Sequence, residues 1–258
     1  MIADNVKVIA FDLDDTLAVS KSPIDQRMAG LLGRLLSVVE VCVISGGRYE
    51  QFEKQVLDRL DAGPEALAGL HLMPTCGTRY YRWRDAGWRQ VYAEDLSDAE
   101  KGRVAQVLTE GAQQLGLWES NPWGELIEDR GSQVTYSALG QEAPPDAKYA
   151  WDPGNDKKQR LRAYAAERLA DLEVRVGGST SVDVTRKGID KAYGIRRLID
   201  FLGLAPDQML FVGDRLEEGG NDFPVLATGV PCIAVSSWQE TADYIEGFLA
   251  ARAGGCAS

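Results

Sequence analysis

Hydrophobic residues recur along this chain in short, mostly apolar runs that stop at polar or glycine-rich stretches. Residues 6–11 (VKVIAF), 40–44 (EVCVI), 208–212 (QMLFV) and 230–235 (VPCIAV) are too short for buried helices and end on breakers, so they read as strands buried on both faces. Between them the spacing turns helical: apolar positions fall three and four apart across 25–38, and a further helix is expected after residue 48, reaching about residue 60. Strands alternating with helices predict a parallel, doubly wound α/β sheet. The middle of the chain differs. Period-two alternation in TRYYRWRDAGWRQVY, SQVTYSAL and SVDVT, with helical patterns near 99–115 and 157–172, predicts an antiparallel α+β insert. The expected organisation is a core from 1–81 and 187–258 around an insert at 82–186.

Composition narrows the function. A chain of 258 residues, 45% hydrophobic, can bury roughly 70–75% of its unfolded surface in one or two cores. No basic and apolar leader precedes the first strand, and no apolar run approaches the roughly 20 residues that span a bilayer, so a soluble, cytoplasmic protein is expected, with no membrane partner. A net charge of −11 argues against a nucleic-acid surface, which needs clustered Lys and Arg. Cys42, Cys76, Cys232 and Cys256 are widely separated and lack CxxC spacing, which favours reduced thiols over disulfides or zinc. The one histidine, His71, lies in the loop-like stretch AGLHLMP, so His-based triads and two-His metal sites are excluded. The C-terminal ARAGGCAS reads as a frayed tail with Cys256 incidental.

The chemistry concentrates where strands end. In KVIAFDLDDTLA, Asp12 and Asp14 follow the first strand. Several carboxylates beside a buried strand cost several kcal/mol unless a cation neutralises them, and a hard cation such as Mg2+ suits carboxylate oxygens best. Parallel neighbours would bring Ser45-Gly46-Gly47 and Asp214 to the same carboxyl edge, and a helix starting near Asp190 would add Lys191. Carboxylate nucleophile, proton-transferring carboxylate, hydroxyl and ammonium form an inventory for phosphoryl transfer. Simpler roles compete with these. Ser45 also reads as a cap of the next helix, Lys187 rivals Lys191, and Asp222 before Phe223-Pro224 also reads as an N-cap.

FDLDDTLA, VISGG, GIDKAYGI and FVGDRLEEGGNDFPVL resemble the four ordered motifs of the haloacid dehalogenase superfamily, in the branch with a large C2-type cap. The spacing in GDRLEEGGND, with VGGSTSVDVTRKGIDKAYGIRRL, most resembles the eukaryotic-type phosphomannomutases. The resemblance implies a Rossmannoid core with a parallel sheet, and an α+β cap with an antiparallel sheet that selects substrate and excludes water. It implies Asp12 as nucleophile, Asp14 as general acid/base, and Ser45 and Lys191, with Gly46 alongside, as grips on phosphate. Mg2+ would be held by Asp12, the backbone carbonyl of Asp14 and Asp214, with Asn221 and Asp222 in support. Arg130, Ser179 and Asp183 fall where relatives hold a sugar and its distal phosphate, and Lys21 stands in place of another arginine. Gln141 occupies a position where the mutases carry a phosphate-binding arginine, and losing a bidentate Arg contact weakens that grip by roughly 1.5–3 kcal/mol. The cap therefore looks short of cations. Ser45, and Asp15 in place of the usual glycine, point the same way. The expected activity is a Mg2+-dependent phosphatase acting on a small sugar or polyol phosphate through a phosphoaspartyl intermediate. The alternative is phosphomannomutase or another hexose phosphomutase. A catalytically silent sugar-phosphate binder is a third reading, which the intact acidic set argues against. Exposed aromatics on the cap would suit a homodimer.

Overall fold

The apolar runs form four adjacent strands at one end of a seven-stranded sheet in the computed structural model, which describes residues 5–255. Its strands are β1 (Val8–Phe11), β2 (Glu40–Ile44), β3 (Leu70–Met73), β4 (Arg79–Arg84), β5 (Gly87–Ala93), β10 (Met209–Gly213) and β11 (Cys232–Ala234), in the order β11-β10-β1-β2-β3-β4-β5. The first five positions are parallel, and β3 pairs antiparallel with β4. Apolar side chains on both faces of β1 and β2 are covered because helices pack above and below. Asp25 caps the helix Gln26–Leu35 by accepting the Met28 N–H at 2.8 Å; Met28, Leu31, Leu32 and Leu35 then enter one core with Ile245 and Phe248 of the helix Trp238–Gly255. On the other face, Ile195, Leu198 and Ile199 of the helix Lys191–Leu202 pack on Val8, Ala10, Phe211 and Tyr80.

Two compact units make up the chain: Met1–Tyr92 with Asp190–Ser258, and Ala93–Ile189. The hairpin Arg79–Ala93 therefore extends the first sheet, and the insert begins later than the expected residue 82. Period-two alternation identifies a strand that is half covered but carries no information about which sheet it joins. Asp85 and Ala86, both at positive φ (51° and 56°), close this hairpin with the twist such two-residue turns require.

The second unit has its own antiparallel sheet, β6 (Ile127–Asp129), β7 (Gln133–Ser137), β9 (Ser181–Arg186) and β8 (Leu172–Val176), in that order. Helices Asp98–Gln114 and Asp156–Arg168 bury Val104, Leu108, Leu161 and Ala165 against Val134, Tyr136, Val182 and Val184. A capping box between Ser97 and Glu100 starts the first of them.

Two further expectations change. His71 lies within β3 and is fully buried: its Nε2 pairs with Glu40 at 2.5 Å and its Nδ1 with the Tyr80 hydroxyl at 2.7 Å, which satisfies a polar ring inside a sheet. The last helix continues to Gly255, so most of the expected tail is helical, while Cys256 lies outside the described residues. Cys42, Cys76 and Cys232 are reduced, as expected, and form no disulfide among the described residues. Among the described residues, no helix is long and apolar enough to cross a membrane.

Candidate active site

Parallel pairing in register brings three loops together. Asp12 follows β1, and its N–H donates to the Val212 carbonyl at 3.0 Å, which sets it beside Gly213 and the succeeding Asp214. Carboxylate oxygens of Asp12, Asp214 and Asp222 lie within 4.8 Å of one another. Lys191, the first residue of its helix and 1% exposed, donates from Nζ to Oδ1 of both Asp12 and Asp222. Thr16 Oγ1 is 3.4 Å from Asp12 Oδ2 and from Asp214 Oδ1. Gly213 is required here: a Cβ at that position would lie 2.4 Å from Asp222 Oδ2. That oxygen accepts the Arg215 N–H at 3.1 Å, so Asp222 stands at the N-cap position before Phe223 but commits its carboxylate to the cluster and makes no side-chain capping bond. Lys187 is exposed, so the rival to Lys191 falls away; Asp190 caps the helix by accepting the Tyr193 N–H at 2.9 Å.

The electrostatics are unbalanced. Burial raises the Asp12 carboxyl well above the usual carboxylate range, with Lys191 opposing and Asp222 adding to the rise. Asp214 is raised by burial and then by Asp222. Burial works against the Lys191 charge, but Asp12 and Asp222 outweigh it and hold the ammonium protonated. With all three carboxyls ionised, the one ammonium leaves a surplus of two negative charges, which a divalent cation with oxygen ligands would offset. This donor set fits Mg2+.

Ser45 follows β2, is 5% exposed, and accepts the Gly47 N–H at 3.2 Å; Arg48, not Ser45, is the N-cap of the following helix. Gly46 is half-buried beside it. The Asp14 carboxylate belongs to a separate set. It accepts from the Lys21 N–H at 2.6 Å, Gln55 Nε2 at 3.2 Å and Gln51 Nε2 at 3.3 Å. Lys21 and Asn221 are exposed. Asp15 adopts φ 62°, a left-handed conformation that Asp tolerates, and accepts the Ser20 N–H at 3.0 Å. Sequence reasoning missed Thr16, Gln51 and Gln55. The two glutamines are four apart in an expected helix, the only available signal, and amides at that spacing are common on helix surfaces.

Within the second unit, Arg130 grips Glu128 through Nε at 3.0 Å and Nη2 at 2.6 Å, and Asp183 accepts from Thr135 at 2.8 Å. Ser179 is half-buried before β9. Gln133, Thr135 and Ser137 of β7 are buried, alternating with Val134 and Tyr136 of the apolar core. Gln141 donates to Ser137 Oγ at 2.5 Å. Lys148 and Lys158 are both buried here, donating to the carbonyls of Gln141 at 2.6 Å and Gly178 at 2.8 Å. Lys158 lies on a mostly polar helix, where burial of one lysine leaves no sequence pattern.

Comparison with known proteins places this arrangement. A family model described as eukaryotic phosphomannomutase matches residues 28–250. The phosphomannomutase of Encephalitozoon cuniculi (strain GB-M1) is 24% identical over 235 residues, 87% of this chain and 86% of its own length. Phosphomannomutase 1 of Homo sapiens is 26% identical over 224 residues, 84% of this chain and 82% of its own length. Among solved structures, a haloacid dehalogenase-like hydrolase from Bacteroides thetaiotaomicron aligns with a TM-score of 0.64 at 16% identity, covering 94% of this chain and 99% of that one. An N-terminally truncated Plasmodium falciparum IMP-nucleotidase aligns with a TM-score of 0.69 at 15% identity, covering 96% and 71%. At these identities the structural matches speak to the fold.

Proposed function

The chain belongs to the eukaryotic phosphomannomutase family within the haloacid dehalogenase superfamily, and from that premise we propose that it is a cytoplasmic, Mg2+-dependent hexose phosphomutase working through a phosphoaspartate on Asp12. The observation that carries phosphoryl transfer is the buried Lys191 bonded to both Asp12 and Asp222. A mutase is favoured over a hydrolase because the family match runs through both units, and because Lys148 and Lys158 add buried positive charge to the second. This reverses the order expected from sequence.

In this reading a carboxylate oxygen of Asp12 attacks phosphorus as the bond from phosphorus to the sugar oxygen breaks, and Asp14 gives its proton to that leaving oxygen. The phosphoryl group then passes to a hydroxyl of the sugar phosphate bound in its other orientation. Asp14 takes the hydroxyl proton, and the bond between Asp12 and phosphorus breaks, freeing the carboxylate. Lys191 holds Asp12 in place and offsets its charge, while Ser45 and the Gly46 amide hold phosphoryl oxygens. Asp12, Asp214 and the Asp14 carbonyl would hold Mg2+, with Asp222 behind them; the ion supplies positive charge that reduces repulsion between nucleophile and phosphate. Arg130, Ser179 and Asp183 are assigned to sugar-phosphate contacts.

A phosphatase is the second reading, and Gln141 favours it: a neutral amide stands where the resemblance puts an arginine. In that case water replaces the sugar hydroxyl in the second step. The two separate in one assay, with Mg2+ and mannose 1-phosphate, with and without glucose 1,6-bisphosphate, following mannose 6-phosphate and free phosphate together. Isomer formation that depends on bisphosphate and disappears in Asp12→Asn supports the mutase. Free phosphate released regardless of bisphosphate supports the phosphatase, and wild-type protein inert in both readouts overturns the proposal.

A further inference from the structure

Asp14 is held by amides that the phosphoryl-transfer inventory does not contain. Gln55 is 2% exposed and lies in a π-helical turn, Glu53–Leu57, an irregularity that concentrates at functional positions. Its two amide hydrogens have two acceptors: Asp14 Oδ1 at 3.2 Å and the Ser22 carbonyl at 2.8 Å. Turning the amide over would set its oxygen against both acceptors, so the donor end must face Asp14. The cost is visible at the other end, where Gln55 Oε1 is buried and makes no hydrogen bond. A leucine would fill this space without an orphaned oxygen, so packing alone does not explain the amide. The Gln55 carbonyl also accepts the Ile24 N–H at 2.8 Å, tying the turn to the loop after the first motif.

Gln51, one helical turn earlier, donates to the other oxygen of Asp14 at 3.3 Å. Room for it comes from Gly47, where a Cβ would lie 2.2 Å from Gln51 Oε1. The stretch that begins with Ser45 thus returns two donors to the acid that follows β1. Asp14 itself lies outside the cluster of Asp12, Asp214 and Asp222, so Lys191 is not its restraint.

We propose that Gln51 and Gln55 are positioning residues for Asp14, fixing the orientation of its carboxylate for proton transfer to and from the sugar oxygen. The inference rests on the phosphoryl-transfer reading above. It makes a specific kinetic demand, because a proton is needed only where the leaving oxygen is a poor leaving group. Protonation by a placed acid contributes about 10²–10⁴-fold for such groups.

The test compares the single-turnover release of hexose monophosphate from glucose 1,6-bisphosphate with kcat/KM for p-nitrophenyl phosphate, whose phenolate leaves unaided. Gln55→Leu should slow the sugar reaction by about 10–100-fold, a part of the full acid contribution, and change the aryl reaction less than about threefold. Gln51→Leu, which leaves the Ser22 contact untouched, should show the same selectivity and carries the test if Gln55→Leu does not fold. Asp14→Asn sets the limit of the pattern. Equal losses on both substrates, or no loss on either, would overturn the positioning role. Failure of the underlying reading looks different: wild type and Asp12→Asn would then be alike on both substrates, and the inference falls with it.

Discussion

Lys191→Met tests whether the acidic cluster is held by one internal cation. The substitution keeps the hydrocarbon stem, so little cavity forms, and removes the ammonium from between Asp12 and Asp222, whose side chains are 4% and 0% exposed. Removing one partner of a buried pair costs about 3–5 kcal/mol, since the remaining charge is left uncompensated. For a protein of this size, at roughly 2–4 °C per kcal/mol, the melting midpoint should fall by roughly 6–20 °C in chelator. The sign of its pH dependence follows from the same geometry. Burial already raises Asp12 and Asp214, and without Lys191 both rise further. A carboxyl raised in the folded state favours folding at low pH, and that contribution is lost as pH rises through the folded value. The deficit of Lys191→Met relative to wild type should therefore be larger at pH 8 than at pH 5. Mg2+ should recover more stability in the variant than it adds to wild type, because it meets three carboxylates with no competing ammonium. Calorimetry in chelator and in Mg2+, with exposed Lys187→Met as control, reads all of this. A variant melting within about 1 °C of wild type in chelator would refute the charge accounting.

Two further outcomes bear on residues the sequence read differently. Asp15→Gly and Asp15→Ala both lose the bond from the Ser20 N–H, but only alanine keeps a side chain at φ 62°, so the glycine variant should be more stable by about 1–2 kcal/mol; equal midpoints would show that the loop relaxes. His71 is lowered by burial, with Glu40 opposing, so the unfolded chain takes up a proton below about pH 6.5 that the folded ring refuses. Stability is then full above that pH and is lost as pH falls towards the depressed folded value, by at most about 1.4 kcal/mol per pH unit. Urea titrations of wild type and His71→Gln should diverge across pH 6.5 to 5, and parallel curves would count against a buried neutral imidazole.

What the sequence disclosed, and what it withheld, follows from how each feature is encoded. Parallel strands of this sheet are continuous apolar runs, so the buried β1, β2 and β10 and the edge strand β11 were legible, and with them the carboxyl edge that collects Asp12, Ser45 and Asp214. Lys191 could be chosen over Lys187 only through the motif, since what separates them is which one enters the core: a fact of packing, and neither lysine has an apolar signature. His71 was misplaced for a related reason. A four-residue strand holding an imidazole looks like a loop until Glu40 and Tyr80, 31 and 9 residues away, are seen to satisfy it. The hairpin Arg79–Ala93 had the correct period but no address, because alternation reports one covered face and nothing about the covering partner. Gln51 and Gln55 are the sharpest case. Their roles depend on a π turn and on the missing side chain of Gly47, and neither leaves a mark that differs from an ordinary surface helix. Residues that do chemistry are thus readable from charge next to a strand, whereas the two amides that hold Asp14 are neutral, 37 and 41 residues from it along the chain, and recognisable only by the atoms they meet.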